Sequence, residues 1–472
     1  MSAARRTSFA AASLAMGTAL VLGCECTPPP GPTDGGSGRD SRVPDAWELV
    51  PVHDPLSMPE EATLTPSDFQ RSERCTMCHA DHVSEWQSSM HAYAMVDPVF
   101  QALVSVRQAD FMGTQDQFCV QCHSAIGTRG GEITAGFSFT GLSPITLEGV
   151  TCVSCHQVTE LARDHNSGHV LDATASMRGP ITDPVASGRH ESASSELFGT
   201  SEFCAGCHDI VEVSGLSLER PYEEWLSSPA RAAGRNCQSC HMPEITREVA
   251  PSAPERTSHE HRFRGVDLPL LDGFATPEQM DVLRADRAAL LTSSADVRLQ
   301  VPDSVRAGGT LDLVIDVESL LDAHSLPTGS TFIRQLWLEV VVRDAHDRVV
   351  YETGTLDGNG DLRDHWSALD PYGDPDLVSF SSSLTNAAGQ PELFPWRSTE
   401  HFRRTLEPLH TRTVTLFVPV PSSMDGPLSV RARLRFRSHP PFLLRALGLT
   451  ELVPRVEIQD IDEASASVEV VP

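Results

Sequence analysis

Between residues 75 and 241 the chain repeats the pentapeptide Cys-x-x-Cys-His five times: Cys75/Cys78/His79, Cys119/Cys122/His123, Cys152/Cys155/His156, Cys204/Cys207/His208 and Cys237/Cys240/His241. With 12 cysteines and 19 histidines in 472 residues, chance supplies roughly 0.01 such matches. The pattern is the attachment signature of covalent c-type haem. Two thiols one helical turn apart can each form a thioether to a porphyrin vinyl group, and the histidine that follows offers its imidazole to the iron from the same face. Structural zinc would combine cysteine pairs two by two, yet five is odd, and zinc gives no reason for a histidine after every second cysteine. A two-residue gap repeated five times is a poor disulfide staple. The expectation is five covalently bound haem c groups, with the ten motif cysteines as thioether donors and His79, His123, His156, His208 and His241 as iron ligands.

This spacing limits what the first half can fold into. Roughly 33 residues per macrocycle leave no apolar core of ordinary size, so the haems themselves must be the core. Helical pieces are expected over 80–94 and over 221–228, where Tyr222 and Trp225 fall on one face, with loop elsewhere. Thr276 opens a clearer helix as its cap, followed by Pro277 and Glu278, with Met280, Leu283, Leu290 and Leu291 within one arc. Arg287 interrupts that stripe and predicts only partial burial; the helix ends near Ser293.

From Val297 the pattern changes to short alternating runs over 311–317, 332–342, 349–351, 413–420, 429–437 and 456–461. The fold class is therefore α+β and multidomain: a mostly helical and loop multihaem domain followed by an antiparallel β-sandwich. The boundaries read as 51–275 for the haem domain, 276–293 for a connecting helix and 294–472 for the sandwich. The strand over 429–437 sets Val430, Ala432, Leu434 and Phe436 inward and Arg431, Arg433, Arg435 and Arg437 outward, the pattern of a solvated strand face.

Haem c is attached outside the cytoplasmic membrane, which predicts an export signal. Arg5 and Arg6 form a basic start, residues 9–22 are apolar and small, and Val21-Leu22-Gly23-Cys24 resembles a bacterial lipobox. The expectation is a signal over 1–23, lipid modification of Cys24 and a Pro/Gly/Ser-rich tether over 24–50, giving a membrane-anchored lipoprotein of the periplasm or cell surface. Cys26 has no assigned role. The net charge of −28 disfavours nucleic acid and favours basic redox partners or cationic small substrates. All 36 basic residues are arginine, so a Cys-x-x-Cys-Lys motif, the usual catalytic haem site of pentahaem nitrite reductases, is impossible.

Over residues 74–265 the chain resembles the multihaem cytochromes grouped with the tetrahaem cytochrome that serves hydroxylamine oxidoreductase. Trp86-Gln87-Ser88-Ser89-Met90-His91-Ala92 is similar to the run that follows the first motif in that family, and implies His91 as a distal ligand. Gly149 to His156 matches Gly-Val-Thr-Cys-x-x-Cys-His, for which the resemblance implies a downstream ligand at His165 or His169. The stretch from His190 to Phe203 implies His190, and the run after the fifth motif favours His261 over His259. In the sandwich, Ala323-His324-Ser325-Leu326-Pro327-Thr328-Gly329 is similar to a turn found in domains that accompany such cytochromes; Pro327 and Gly329 suit a tight turn that aims His324 back at the haem domain. His324 is expected as the fifth distal ligand.

The expected function is electron transfer in a respiratory chain, between a quinol-linked donor or periplasmic carrier and a terminal acceptor. The alternative is an oxidoreductase of the same broad type, acting on nitrite, hydroxylamine or a sulfur compound at one five-coordinate haem. A third reading makes the sandwich a docking module with the haem domain subordinate to it.

Overall fold

The computed structural model describes residues 48–50, 62, 64–173, 176–185 and 187–472, which belong to one compact unit. The expected signal, Cys24, Cys26 and most of the tether lie outside the described residues. No described helix is long and apolar enough to cross a membrane.

The motif-bearing half is built from short helices and two-stranded pieces. Four motifs end a helix, at Gln117–His123, Cys152–His156, Ser201–His208 and Cys237–His241, while the first lies between a turn of 3-10 helix, Ser72–Cys75, and helix Ala80–Gln87. The expected 80–94 helix is broken. Ala80–Gln87 stops, and Met90–Tyr93 restarts under a cap in which Ser89 Oγ accepts from the Ala92 N–H. Pro98–Phe111 is longer; Asp97 caps it by accepting from the Val99 N–H at 2.9 Å, and Pro98 fits its first turn. Apolar packing here is scattered in small groups, such as Met95, Phe100, Val104, Val120, Ile133 and Phe137, and Phe69, Ile126, Ile145 and Val153.

Helix Pro277–Thr292 carries the expected Thr276 cap, with Thr276 and Gln279 bonded reciprocally. The apolar stripe is partly buried, as expected, with Leu291 buried and Met280, Leu283 and Leu290 half-exposed, and Arg287 within it is itself buried, its guanidinium pairing with Glu457 at 2.6 Å. The sandwich follows. One sheet orders Ala295–Gln300, Thr310–Ser319 and Thr411–Pro419, all antiparallel. The other runs Ser304–Arg306, Gln459–Val471, Leu428–Arg437, Gln335–Arg343 and Val349–Thr353, antiparallel except where Ser304–Arg306 lies parallel to the last strand. Leu311, Leu313, Ile315 and Leu416 from one sheet meet Leu336, Leu338, Val340, Val430 and Leu434 from the other in a single core.

The arginine row is not a solvated face beyond Arg431. The register sets Arg433 opposite Glu339 and Arg435 opposite Trp337. Arg433 and Arg435 both bind Glu339 and Asp460, Arg437 is buried against Gln335 and Gly360, and the guanidiniums of Arg435 and Arg437 lie 5.8 and 5.4 Å from the buried Trp337 ring. Four rungs of one sign were legible; the acidic partners on neighbouring strands were not.

The two halves are tied at His401 on strand Glu400–Arg403. Its Nδ1–H donates to Ser217 O at 2.7 Å across the junction, its Nε2 has no hydrogen-bond partner, and burial holds the ring at about 4, below the usual imidazole value near 6.5. Arg220 and Arg403 beside it act in the same direction. Because the folded value lies below the unfolded one, unfolding takes up a proton between pH 6.5 and 4. The contribution of His401 is whole above 6.5 and is lost as pH falls, by up to about 3 kcal/mol. His401→Leu should therefore flatten the decline in melting temperature between pH 6.5 and 4.5 followed by circular dichroism; an unchanged slope would contradict this.

Candidate haem-binding site

All ten motif cysteines and the five motif histidines line one continuous cavity of about 2180 Å³. That is well above the ~300–1,000 Å³ of an ordinary small-molecule pocket. His91, His190, His261 and His324 line the same space.

The motif histidines are oriented from behind. Nδ1–H of His79, His123, His156 and His241 donates to the carbonyls of Val249, Ala94, Arg178 and Arg264 at 2.8, 3.2, 2.5 and 2.7 Å. That bond selects the tautomer whose Nε2 lone pair is free for a metal. Burial is the first cause of lowered values at His123, held at about 4, and at His156 and His241, so these rings are neutral and ligand-competent at physiological pH.

Across the cavity, four of the five face another imidazole. The ring centroids of His79 and His190 are 6.3 Å apart, those of His208 and His91 6.1 Å, of His156 and His261 6.2 Å, and of His241 and His324 6.3 Å. Two metal–imidazole bonds of about 2.0–2.1 Å plus a ring radius of about 1.1 Å on each side place the centroids about 6.3 Å apart. The residues present thus fit a six-coordinate haem iron at four positions. Nδ1–H of the facing His190, His261 and His324 donates to the carbonyls of Glu191, His259 and Ser325 at 3.0, 2.9 and 3.0 Å, again leaving Nε2 free. His91 is held at about 3 by desolvation, and its Nδ1 has no hydrogen-bond partner.

His123 differs. Its ring stacks flat on Phe100, with centroids 3.7 Å apart and an interplanar angle of 3°, and among the described residues no histidine ring faces it. Beside this motif, Arg107 and Glu212 form a buried ion pair at 2.8 Å, and the Arg107 guanidinium lies 4.7 Å from the Phe118 ring and 5.5 Å from that of Trp396.

His165 and His169 face no motif histidine. His165 sits at a turn with Nδ1 3.1 Å from Asp164 Oδ1. His169 packs over Gly206 inside the fourth motif, its Nε2 2.7 Å from Phe203 O and its Nδ1 3.5 Å from Cys207 Sγ. This explains the glycine, since a Cβ there would meet the His169 ring at 2.5 Å. Of the two downstream positions the resemblance implied for a ligand, His169 packs a neighbouring motif in this structure.

The sequence reading gave no role to His82, whose ring meets that of His261 edge-on at 4.7 Å and lies 6.1 Å from that of His79, with Nε2 3.2 Å from Ser258 Oγ. The three-residue interval from His79 to His82 on one helical face was the available signal.

The motifs are also close to one another. Cys75 and Cys152, Cys122 and Cys207, and Cys204 and Cys237 stand within side-chain hydrogen-bonding reach. Motifs one and three, two and four, and four and five therefore approach one another through their cysteines, and Cys155 and Cys204 are electrostatic neighbours linking three to four.

The family model described as cytochrome c554 and c-prime matches residues 74–157. With the five motifs and the paired imidazoles, this defines the chain as a multihaem c-type cytochrome carrying covalently bound haem c. Its fold is similar to that of a penta-haem cytochrome c552 from Thermochromatium tepidum, with a TM-score of 0.58 and 19% identity over 85% of this chain and 99% of that one. A CARDB domain from Pyrococcus furiosus (TM-score 0.16, 11% identity, 38% of this chain and 86% of that one) and a cohesin module from Clostridium perfringens (0.17, 9%, 38% and 97%) are too remote to inform the reading. No match is found among the curated proteins.

Gly206→Ala should lower the haem content of the purified protein, read as haem per polypeptide, and removal of the opposing ring in His169→Ala/Gly206→Ala should restore it. If His169→Ala alone also removes a low-spin haem signal, His169 is a ligand and the packing account fails.

Proposed function

We propose that the protein carries five haem c groups and relays electrons among them, with four irons held between two histidines: His79 and His190, His156 and His261, His208 and His91, His241 and His324. The observation that carries this reading is the recurrence of one 6.1–6.3 Å imidazole separation at four independent places. Bound haem supplies one-electron chemistry; the chain orients six of the eight imidazoles through backbone carbonyls. The approaches between motifs through their cysteines support a path from site one through three and four to five, with site two a branch at four.

The sequence supports an exported, lipid-anchored protein at the periplasmic or outer surface, acylated at Cys24, exchanging electrons between a quinol-linked donor or periplasmic carrier and a terminal acceptor. The acidic surface suits basic redox partners. The sandwich belongs to this unit, because its turn delivers His324 into the cavity.

A second reading has a specific observation in its favour. His123 is paired with Phe100 and with no described histidine, which supports an open sixth position at site two where a small nitrogen or sulfur compound can bind. Electron paramagnetic resonance of the oxidised, haem-loaded protein should show four low-spin haems, and only the fifth should respond to nitrite or hydroxylamine. Five low-spin signals indifferent to both compounds would remove the second reading and leave a pure carrier; a response at two or more haems would overturn the four bis-histidine assignments.

A further inference from the structure

The His324 turn reaches its place opposite His241 from the sandwich, and its footing is uneven. On the sandwich side it is held by paired backbone bonds, Leu326 N–H to Leu406 O at 2.8 Å and Leu406 N–H to Leu326 O at 2.9 Å. On the haem side, one carboxylate grips the turn at two points, and the Ser330 hydroxyl donates to Glu219 further along it. Glu224 Oε2 accepts from the Ser325 N–H at 3.0 Å and from the Thr328 hydroxyl at 2.8 Å, while Oε1 lies 3.3 Å from the Arg403 guanidinium. The Glu224 side chain is only 13% exposed, so these charge-assisted bonds form away from bulk water. A second clasp lies on the other flank, where Asp322 O accepts from the Ala230 N–H at 3.0 Å and the Asp322 carboxylate pairs with Arg235, two residues before Cys237.

Glu224 sits in helix Pro221–Leu226, between the fourth and fifth motifs. That helix is itself fixed to the fourth motif through Tyr222, whose N–H donates to Asp209 Oδ1 at 3.0 Å and whose hydroxyl donates to Glu202 at 3.2 Å. Trp225 Nε1–H donates to Arg235 O at 2.9 Å on the side of the fifth motif. One short helix therefore grips the fourth motif, the approach to the fifth and the turn that carries His324.

We infer that Glu224 is the positioning residue for His324: its carboxylate, by holding Ser325 N–H and the Thr328 hydroxyl, sets how firmly that imidazole stays opposite His241. The inference rests on the reading of His324 as the distal ligand at site five. Ser325 is the next residue in the chain and its carbonyl already orients His324 Nδ1–H, so loss of the Glu224 bond loosens the peptide that aims the ring.

The test uses the full haem-loaded protein and carbon monoxide, which enters a reduced haem only when the sixth position opens. His324→Ala should add one rapidly reacting haem beyond the wild-type amplitude. Glu224→Ala should speed uptake at that same haem by about tenfold, the scale of a lost hydrogen bond to a charged group, and weaken its low-spin signal. Glu224→Gln, which keeps an acceptor oxygen, should fall between wild type and Glu224→Ala and carries the test if the alanine variant fails to fold. The double variant Glu224→Ala/His324→Ala should match His324→Ala alone, since Glu224 acts through that ring. If His324→Ala opens a haem but both Glu224 variants behave as wild type, the positioning role is wrong; if His324→Ala changes nothing, the ligand assignment itself falls.

Discussion

A gap of about 6.2 Å between two imidazoles organises this molecule. The proposed irons give this recurrence a physical reason, because an iron with two axial imidazole nitrogens has that span. Each pair links segments far apart in sequence: 79 with 190, 91 with 208, 156 with 261, 241 with 324. With haem bound as proposed, cross-links closing loops of such length would restrict the unfolded chain strongly, which suits a region whose own apolar clusters are small. Short helices and frayed turns suffice because each need only present a motif or a histidine from the correct side.

The same constraint makes the second site stand out. His123 has the backbone bond that fixes its tautomer, the burial and the motif of its peers, yet it stacks on Phe100 and faces no histidine among the described residues. Beside it Arg107 and Glu212 compensate each other's charge, so the surroundings are buried and polar with little net field. Placed as a branch at the fourth motif, this site could exchange electrons with the chain of haems without interrupting it.

The motifs were legible because attachment chemistry demands a fixed local spacing, and helix Pro277–Thr292 and the sandwich were legible because capping and alternation are local patterns. The broken helix at Ser88–Ser89 was less so, since a serine cap competes there with an otherwise helical run. Distal partners are a different matter. Nothing within a few residues of His169 tells that its ring packs over Gly206, or that His190 crosses the cavity to His79; both are consequences of how non-local segments meet. The resemblance singled out His91, His190, His261 and His324, which the structure sets along the cavity, but it could not supply pairings. The burial of Arg287 and Arg437 escaped for a related reason, since Glu457, Gln335 and the Gly360 carbonyl that compensate them come from distant strands and turns.

The sandwich raises the question of why a redox chain would carry a β domain. Its core is complete without haem, with Leu311, Leu313, Ile315, Leu416 and Leu434 almost wholly excluded from solvent. A loop-rich haem segment lacks that rigidity of its own, and a ligand borne on a loop is only as well placed as the loop's supports. Mounting His324 on a turn locked to the sandwich through Leu326 and Leu406, then fastening the turn to the haem segment through Glu224 and Asp322, transfers the stiffness of one half to the last site of the other. Trp396 and Arg397 make a comparable junction at the far side, both bonding Asp110 at the end of helix Pro98–Phe111 near the second motif. The sandwich thus contacts the chain beside two of the five motifs, the fifth and the second.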